Sequence, residues 1–106
     1  VAVGNVHGIE VEPKIDLPLL AKLAKISAVP LVLHGGSGIP IDVIHEARKH
    51  NLIKINYGAD LRKTFVSTYG KAHEKNHKEH QIITISLEAV HNVAAVAQNI
   101  VETINA

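Results

Sequence analysis

The sequence predicts an α/β fold of strand–helix units around a parallel sheet. Three observations point to it. Short apolar runs alternate with amphipathic stretches along all 106 residues. The polar residues ending those runs recur at about one strand–helix–strand step, 27 positions from His7 to His34 and 22 from His34 to Asn56. No Ser/Gly linker or low-complexity stretch divides the chain.

The elements follow in order. Val1 to Val6 is an apolar run of buried-strand type. After a loop, Asp16 can cap a helix reaching about Ser27, with Pro18 in the first turn, where a missing N–H is no loss. Leu19, Leu23 and Ile26 are expected on its inward face. Val29 to Leu33 is a second apolar run, with Pro30 at its start, where a strand tolerates proline. Gly35, Gly36, Ser37 and Gly38 turn the chain into a second helix, opened by Pro40, with Ile41, Ile44 and Ala47 inward. Ile53 to Ile55 is the third strand, and Asp60 begins a third helix in which Leu61, Phe65, Thr68 and Ala72 align. Glu74 to Gln81 is polar, and a last helix spans about Ser86 to Asn105. In that helix Val90, Val93, Ala97, Ile100 and Ile104 recur at helical steps. Such a stripe packs on a sheet's outer face or forms a seam with another subunit, and packing is the reading preferred here.

Three strand–helix units make an incomplete layer. An open three-stranded sheet would expose unpaired backbone at both edges, and a (β/α)8 barrel takes about 250 residues. The pattern is therefore either a small open α/β domain or the closing portion of a barrel. A chain that lacks Met at position 1 and starts inside an apolar run reads as a piece of something longer.

Composition narrows the function. Eleven basic and ten acidic side chains leave a formal charge of +1, which excludes a basic nucleic-acid footprint and an acidic disordered tail. There is no run of roughly 18 apolar residues, so no membrane span is expected, and no signal-peptide pattern opens the chain. Cysteine is absent, which excludes disulfides and thiolate metal sites and fits a reducing cytoplasm.

Polar residues close each expected strand: Asn5 and His7, then His34, then Asn56. In parallel α/β folds the chemistry gathers at these C-terminal ends, because the loops there converge. With strands about 4.8 Å apart, imidazoles from neighbouring ends can reach one ion at Zn–N distances of about 2.0–2.1 Å. Read alone, His7 and His34 are either such a pair or two unrelated histidines, and two ligands fall short of the three a catalytic zinc takes. The Gly35–Gly38 turn lies between a strand and a helix start. Its N–H groups and the Ser37 hydroxyl can hold a phosphate, or the glycines can serve dihedral freedom alone. Asn56 can donate to a substrate oxygen or cap its turn. His73, His77 and His80 fall at i, i+4 and i+7, but the charged neighbours Lys71, Glu74, Lys75, Lys78 and Glu79 mark a solvated surface.

Together, Asn5-Val6-His7-Gly8, then Leu31 through Pro40 with its His-Gly-Gly-Ser-Gly-Ile-Pro core, then Lys54-Ile55-Asn56, resemble the class II metal-dependent ketose-bisphosphate aldolases. The resemblance covers most of the chain and weakens after about residue 75. It implies a (β/α)8 barrel, with this chain as strands six to eight. It implies His7 and His34 as ligands of a zinc or other divalent ion. Gly8, Gly35 and Ser37 would hold a substrate phosphate, with Gly58 and Ala59 offering backbone N–H groups to a second one. Asn56 would touch the enediolate. The implied reaction is reversible cleavage of a phosphorylated ketose to dihydroxyacetone phosphate and an aldehyde. The implied partners are that substrate, the remainder of the same barrel and further copies in a homo-oligomer. The family's other metal-binding histidine and its catalytic aspartate would lie upstream of this chain.

The sequence departs from the family in two places. The segment from Ile9 to Pro13 lacks the usual Tyr and Lys and is one residue shorter. Gly58 and Ala59 stand where a hydroxyl residue is usual. Both point to an altered or singly phosphorylated substrate, or to a non-catalytic aldolase-like protein that binds a sugar phosphate. A third reading is an independent small α/β domain with no site, which requires the 106 residues to fold cooperatively alone.

Overall fold

The computed structural model describes residues 1–5, 13–75 and 81–106. The order of elements is α1 (Leu17–Ile26), β1 (Leu31–Leu33), α2 (Ile41–Arg48), β2 (Leu52–Ile55), α3 (Ala59–Lys75) and α4 (Ile82–Asn105). The chain divides into two compact units, Val1–Ala59 and Asp60–Ala106.

In the first unit β1 and β2 pair in parallel, with α2 as the crossover between them. The helices begin where local chemistry directs. The Asp16 carboxylate accepts the Leu19 N–H at 2.8 Å and caps α1. Pro40 precedes α2 in an extended conformation, where its missing donor is no loss. After α2, Asn51 adopts φ +53°, a left-handed conformation that asparagine accepts more readily than most residues. Its carbonyl takes the Leu31 N–H at 2.9 Å. Leu20, Leu33, Ile44 and Val3 are the largest fully buried side chains, with Leu31, Ile39, Ala47 and Leu52 around them. α2 packs against both α1 and β2.

Three expectations change. The first helix buries Leu20 rather than Leu19 or Ile26, which is 80% exposed. Leu19 and Leu20 are adjacent apolar residues, so periodicity allows two phases, and packing selects one. The second strand starts at Leu31, because Val29 and Pro30 lie exposed outside the ladder. Of the expected first strand, the described residues 1–5 make a single ladder step on β1's other edge. There the Val1 nitrogen donates to Val32 O at 2.5 Å, and the His34 N–H donates to Val1 O at 3.0 Å. The chain then leaves the sheet, for the Val3 carbonyl accepts from Asp16 N–H at 2.8 Å.

In the second unit, α4 begins at Ile82, four residues before the expected start, and buries Ile85 and Ala89. Val90, expected inward, is exposed. α3 buries Thr68, whose hydroxyl accepts from Asn92 Nδ2 of α4 at 3.2 Å. Among the described residues no helix is long and apolar enough to cross a membrane.

Candidate active site at the strand ends

Parallel strands open their C-terminal ends on the same edge of a sheet. β1 thereby delivers His34, and β2 delivers Asn56. A register irregularity decides how they meet. Leu31 is level with Leu52, yet Val32 is level with Lys54 and Leu33 with Ile55. Ile53 is the extra residue, a bulge that breaks alternation and leaves its side chain 70% exposed. Counting on from Leu31 and Leu52 without a bulge would set His34 beside Ile55. With the bulge it falls beside Asn56.

The hydrogen bonds follow that register. Asn56 N–H donates to Leu33 O at 2.9 Å, and Gly36 N–H donates to Asn56 O at 2.9 Å. The Asn56 Nδ2 lies 3.2 Å from His34 Nδ1. A carboxamide suits this place, because it can serve either imidazole tautomer, donating through Nδ2 or accepting through Oδ1.

The glycine turn is shaped by packing as well as by backbone freedom. Gly35 has φ +67°, a conformation that side chains disfavour. Gly36 is buried, and a Cβ on it would stand 2.4 Å from Ile55 Cγ2 and 3.0 Å from the Tyr57 ring. Only a residue without a side chain lets the turn approach β2 this closely. Ile39 N–H closes the turn on Gly36 O at 3.2 Å and brings the chain to α2. Ser37 is half-buried within it. Gly58 and Ala59 follow Asn56 by two and three positions, also half-buried, and Ala59 is the first residue of α3.

The structure thus brings His34 and Asn56 into contact and ties Gly36, beside Gly35, to the Asn56 backbone. His7 and Gly8 lie outside the described residues. So do His77 and His80, while His73 is exposed near the end of α3. Among the described residues no three His, Cys, Asp or Glu side chains gather as a metal site. What His34 offers does fit one ligand of a larger set. It is an exposed imidazole at a strand end with one ring nitrogen held by an amide, as the non-ligating nitrogen of a metal-bound histidine usually is.

The sequence reading misses Tyr57 and marks Asn5 only as a polar strand end. The Tyr57 ring lies over Gly36, and Asn5 is buried with its side chain against the turn. Asn5 left one signal, an uncharged amide in an otherwise apolar run.

The family model described as fructose-bisphosphate aldolase class-II matches residues 1–106. The fold is similar to the X-ray crystal structure of the YdjI aldolase from Escherichia coli K12, with a TM-score of 0.76 at 25% sequence identity. That match covers 97% of this chain and 38% of the other, so the chain spans well under half of that protein's length.

Proposed function

Because this chain belongs to the class II fructose-bisphosphate aldolase family, we propose that it forms about strands six to eight of a (β/α)8 barrel whose reaction is reversible aldol cleavage of a phosphorylated ketose. The observation that carries this reading is the contact between His34 and Asn56 at the ends of adjacent parallel strands, 3.2 Å apart, beside the glycine turn.

His34 would be one ligand of a divalent ion, zinc first, with His7 as a second. A bound ion of this kind supplies Lewis-acid polarisation of the ketone oxygen and stabilises negative charge there. The residues of this chain do the rest of the positioning. Asn56 steadies the His34 ring and would donate to the enediolate oxygen as the carbon–carbon bond breaks. Gly35 N–H and the Ser37 hydroxyl would hold the phosphate of the dihydroxyacetone phosphate half, with Gly8 alongside. Gly58 and Ala59 would offer only backbone N–H groups to a second phosphate, which favours a substrate with a single phosphate. The remaining metal ligand and the carboxylate that moves the proton would come from upstream residues. A homo-oligomer in the cytoplasm is the expected setting.

The test is His34→Ala in the full-length protein that carries this chain. Zinc content and retro-aldol turnover should both fall. Unchanged zinc stoichiometry would remove the metal assignment. Calorimetry with dihydroxyacetone phosphate separates the non-catalytic alternative, which expects binding without turnover.

A further inference from the structure

We propose that Asn5 is a positioning residue that sets the backbone of the His34–Gly35 turn and, through it, the aim of the His34 imidazole. What the turn holds rests on the aldolase reading; the geometry of Asn5 does not.

Asn5 is 6% exposed, and both polar atoms of its carboxamide are engaged. Oδ1 accepts the Val3 N–H at 2.8 Å, which fixes the amide against the backbone two residues before it. Nδ2 donates to the His34 carbonyl and lies 3.5 Å from the Gly35 carbonyl. These acceptors belong to successive peptide units of the turn, 29 and 30 positions away in sequence. The consequence is directional. All peptide bonds here are trans, so the Gly35 N–H points away from the His34 carbonyl that Asn5 takes. That N–H has no acceptor among the described residues. The next peptide unit is gripped at both ends, its carbonyl near Asn5 and its Gly36 N–H on Asn56 O. One asparagine therefore holds the main chain of His34, and the other holds its ring.

The chemistry demands an amide at position 5. The site needs an acceptor for Val3 N–H and a donor for two carbonyl oxygens. Aspartate keeps the shape and the acceptor but sets a carboxylate against those oxygens. Serine is too short to span both tasks. A buried donor lost here leaves carbonyls unsatisfied, so the turn would relax rather than keep its aim.

The experiment compares wild type, N5D, N5S, H34A and L20A in the full-length protein. Zinc affinity is read by chelator competition, and the ligand field by the absorption spectrum of the cobalt-loaded protein. N5D and N5S should bind zinc 10- to 100-fold more weakly and shift the cobalt bands, the range usual for losing a partner that orients a metal-bound histidine. L20A, buried in the same unit, should lower the thermal midpoint while leaving zinc affinity and the cobalt spectrum as in wild type. Wild-type zinc affinity and spectrum in N5D would overturn the proposal. If neither Asn5 variant folds, wild-type NMR decides. The Asn5 Nδ2 resonances should move when zinc is added, and unmoved resonances overturn the proposal. H34A separates the two levels of inference. If it keeps wild-type zinc affinity, the metal reading fails, and the Asn5 inference is then judged on the His34 ring nitrogen resonances. Those should differ between N5D and wild type, and identical resonances overturn it.

Discussion

Residues 1–59 and 60–106 use their apolar side chains differently. In the first unit each helix and strand contributes to a buried cluster, with Leu20 from α1, Leu31 and Leu33 from β1, Ile44 and Ala47 from α2 and Leu52 from β2. In the second, α3 buries only the hydroxyl residue Thr68, and α4 buries Ile85 and Ala89. Val66, Ile82, Ile83, Leu87, Val90 and Val101 are all more than half exposed. The polar groups assigned to chemistry within the described residues fall entirely in the first unit. A sheet with its own core can hold a side chain to within a fraction of an ångström, whereas a helix pair with an open apolar face fixes little beyond its own contacts. Substitutions at the strand ends of the first unit should therefore act through geometry, and those in the second unit through stability alone.

The largest effect should come from H34A. Loss of a metal ligand is expected to lower kcat/KM by at least about 10³-fold, several kcal/mol of transition-state stabilisation. The thermal midpoint of the metal-free protein should stay near wild type, because His34 is exposed. Retained turnover would break the comparison at its strongest point. Next, alanine at two glycines should act with opposite signs. G36A drives a methyl into Ile55 and Tyr57 and should cost about 1–3 kcal/mol in a urea melt, with activity lost alongside. G70A, in α3 with nothing within 4 Å of the added carbon, should stabilise by about 0.5–1 kcal/mol and leave kcat/KM alone.

S37A should raise KM for the phosphorylated substrate about tenfold, worth about 1.4 kcal/mol, with little change in kcat. N92A removes the bond to Thr68 and should cost about 1 kcal/mol of stability with both kinetic constants unchanged. A change in KM there would mean that the second unit shapes the site. The smallest effect is expected at Glu46. Its carboxyl is held below the ordinary carboxylate range, first by a hydrogen bond from Lys49 at 2.5 Å and then by that ammonium's charge. A lowered folded value places its contribution above the unfolded value, so it is present at neutral pH and lost as pH falls through the folded value. The pair is solvent-exposed, so E46Q and wild type should melt together within error at neutral pH and in acid.

Where local physics suffices, the sequence was a good guide. The inward set of α2, with Ile44 and Ala47 buried and Ile41 half-buried, follows from helical periodicity. The Asp16 cap and the turn at Gly35–Gly38 follow from the chemistry of single residues. Where two neighbouring apolar residues compete, as Leu19 and Leu20 do, periodicity allows both phases and only packing chooses. The α4 start at Ile82 was missed because Ile82 and Ile83 carry no cap signal, and Gln81 makes no side-chain cap. His34 and Asn56 could be read as strand-end polar residues, but their contact could not.

By itself, then, the sequence determined the strand–helix alternation, the helix starts at Asp16 and Pro40, the glycine turn and the family. Each depends on neighbours along the chain or on a motif quoted residue by residue. The tertiary structure alone decided that Ile53 bulges out of the ladder, that Asn56 thereby comes level with His34, and that the Asn5 amide crosses to the His34 carbonyl. Strand register is a relation between segments some 20 or more residues apart. It is settled by which side chains bury together, and a shift of one residue reverses every one of them.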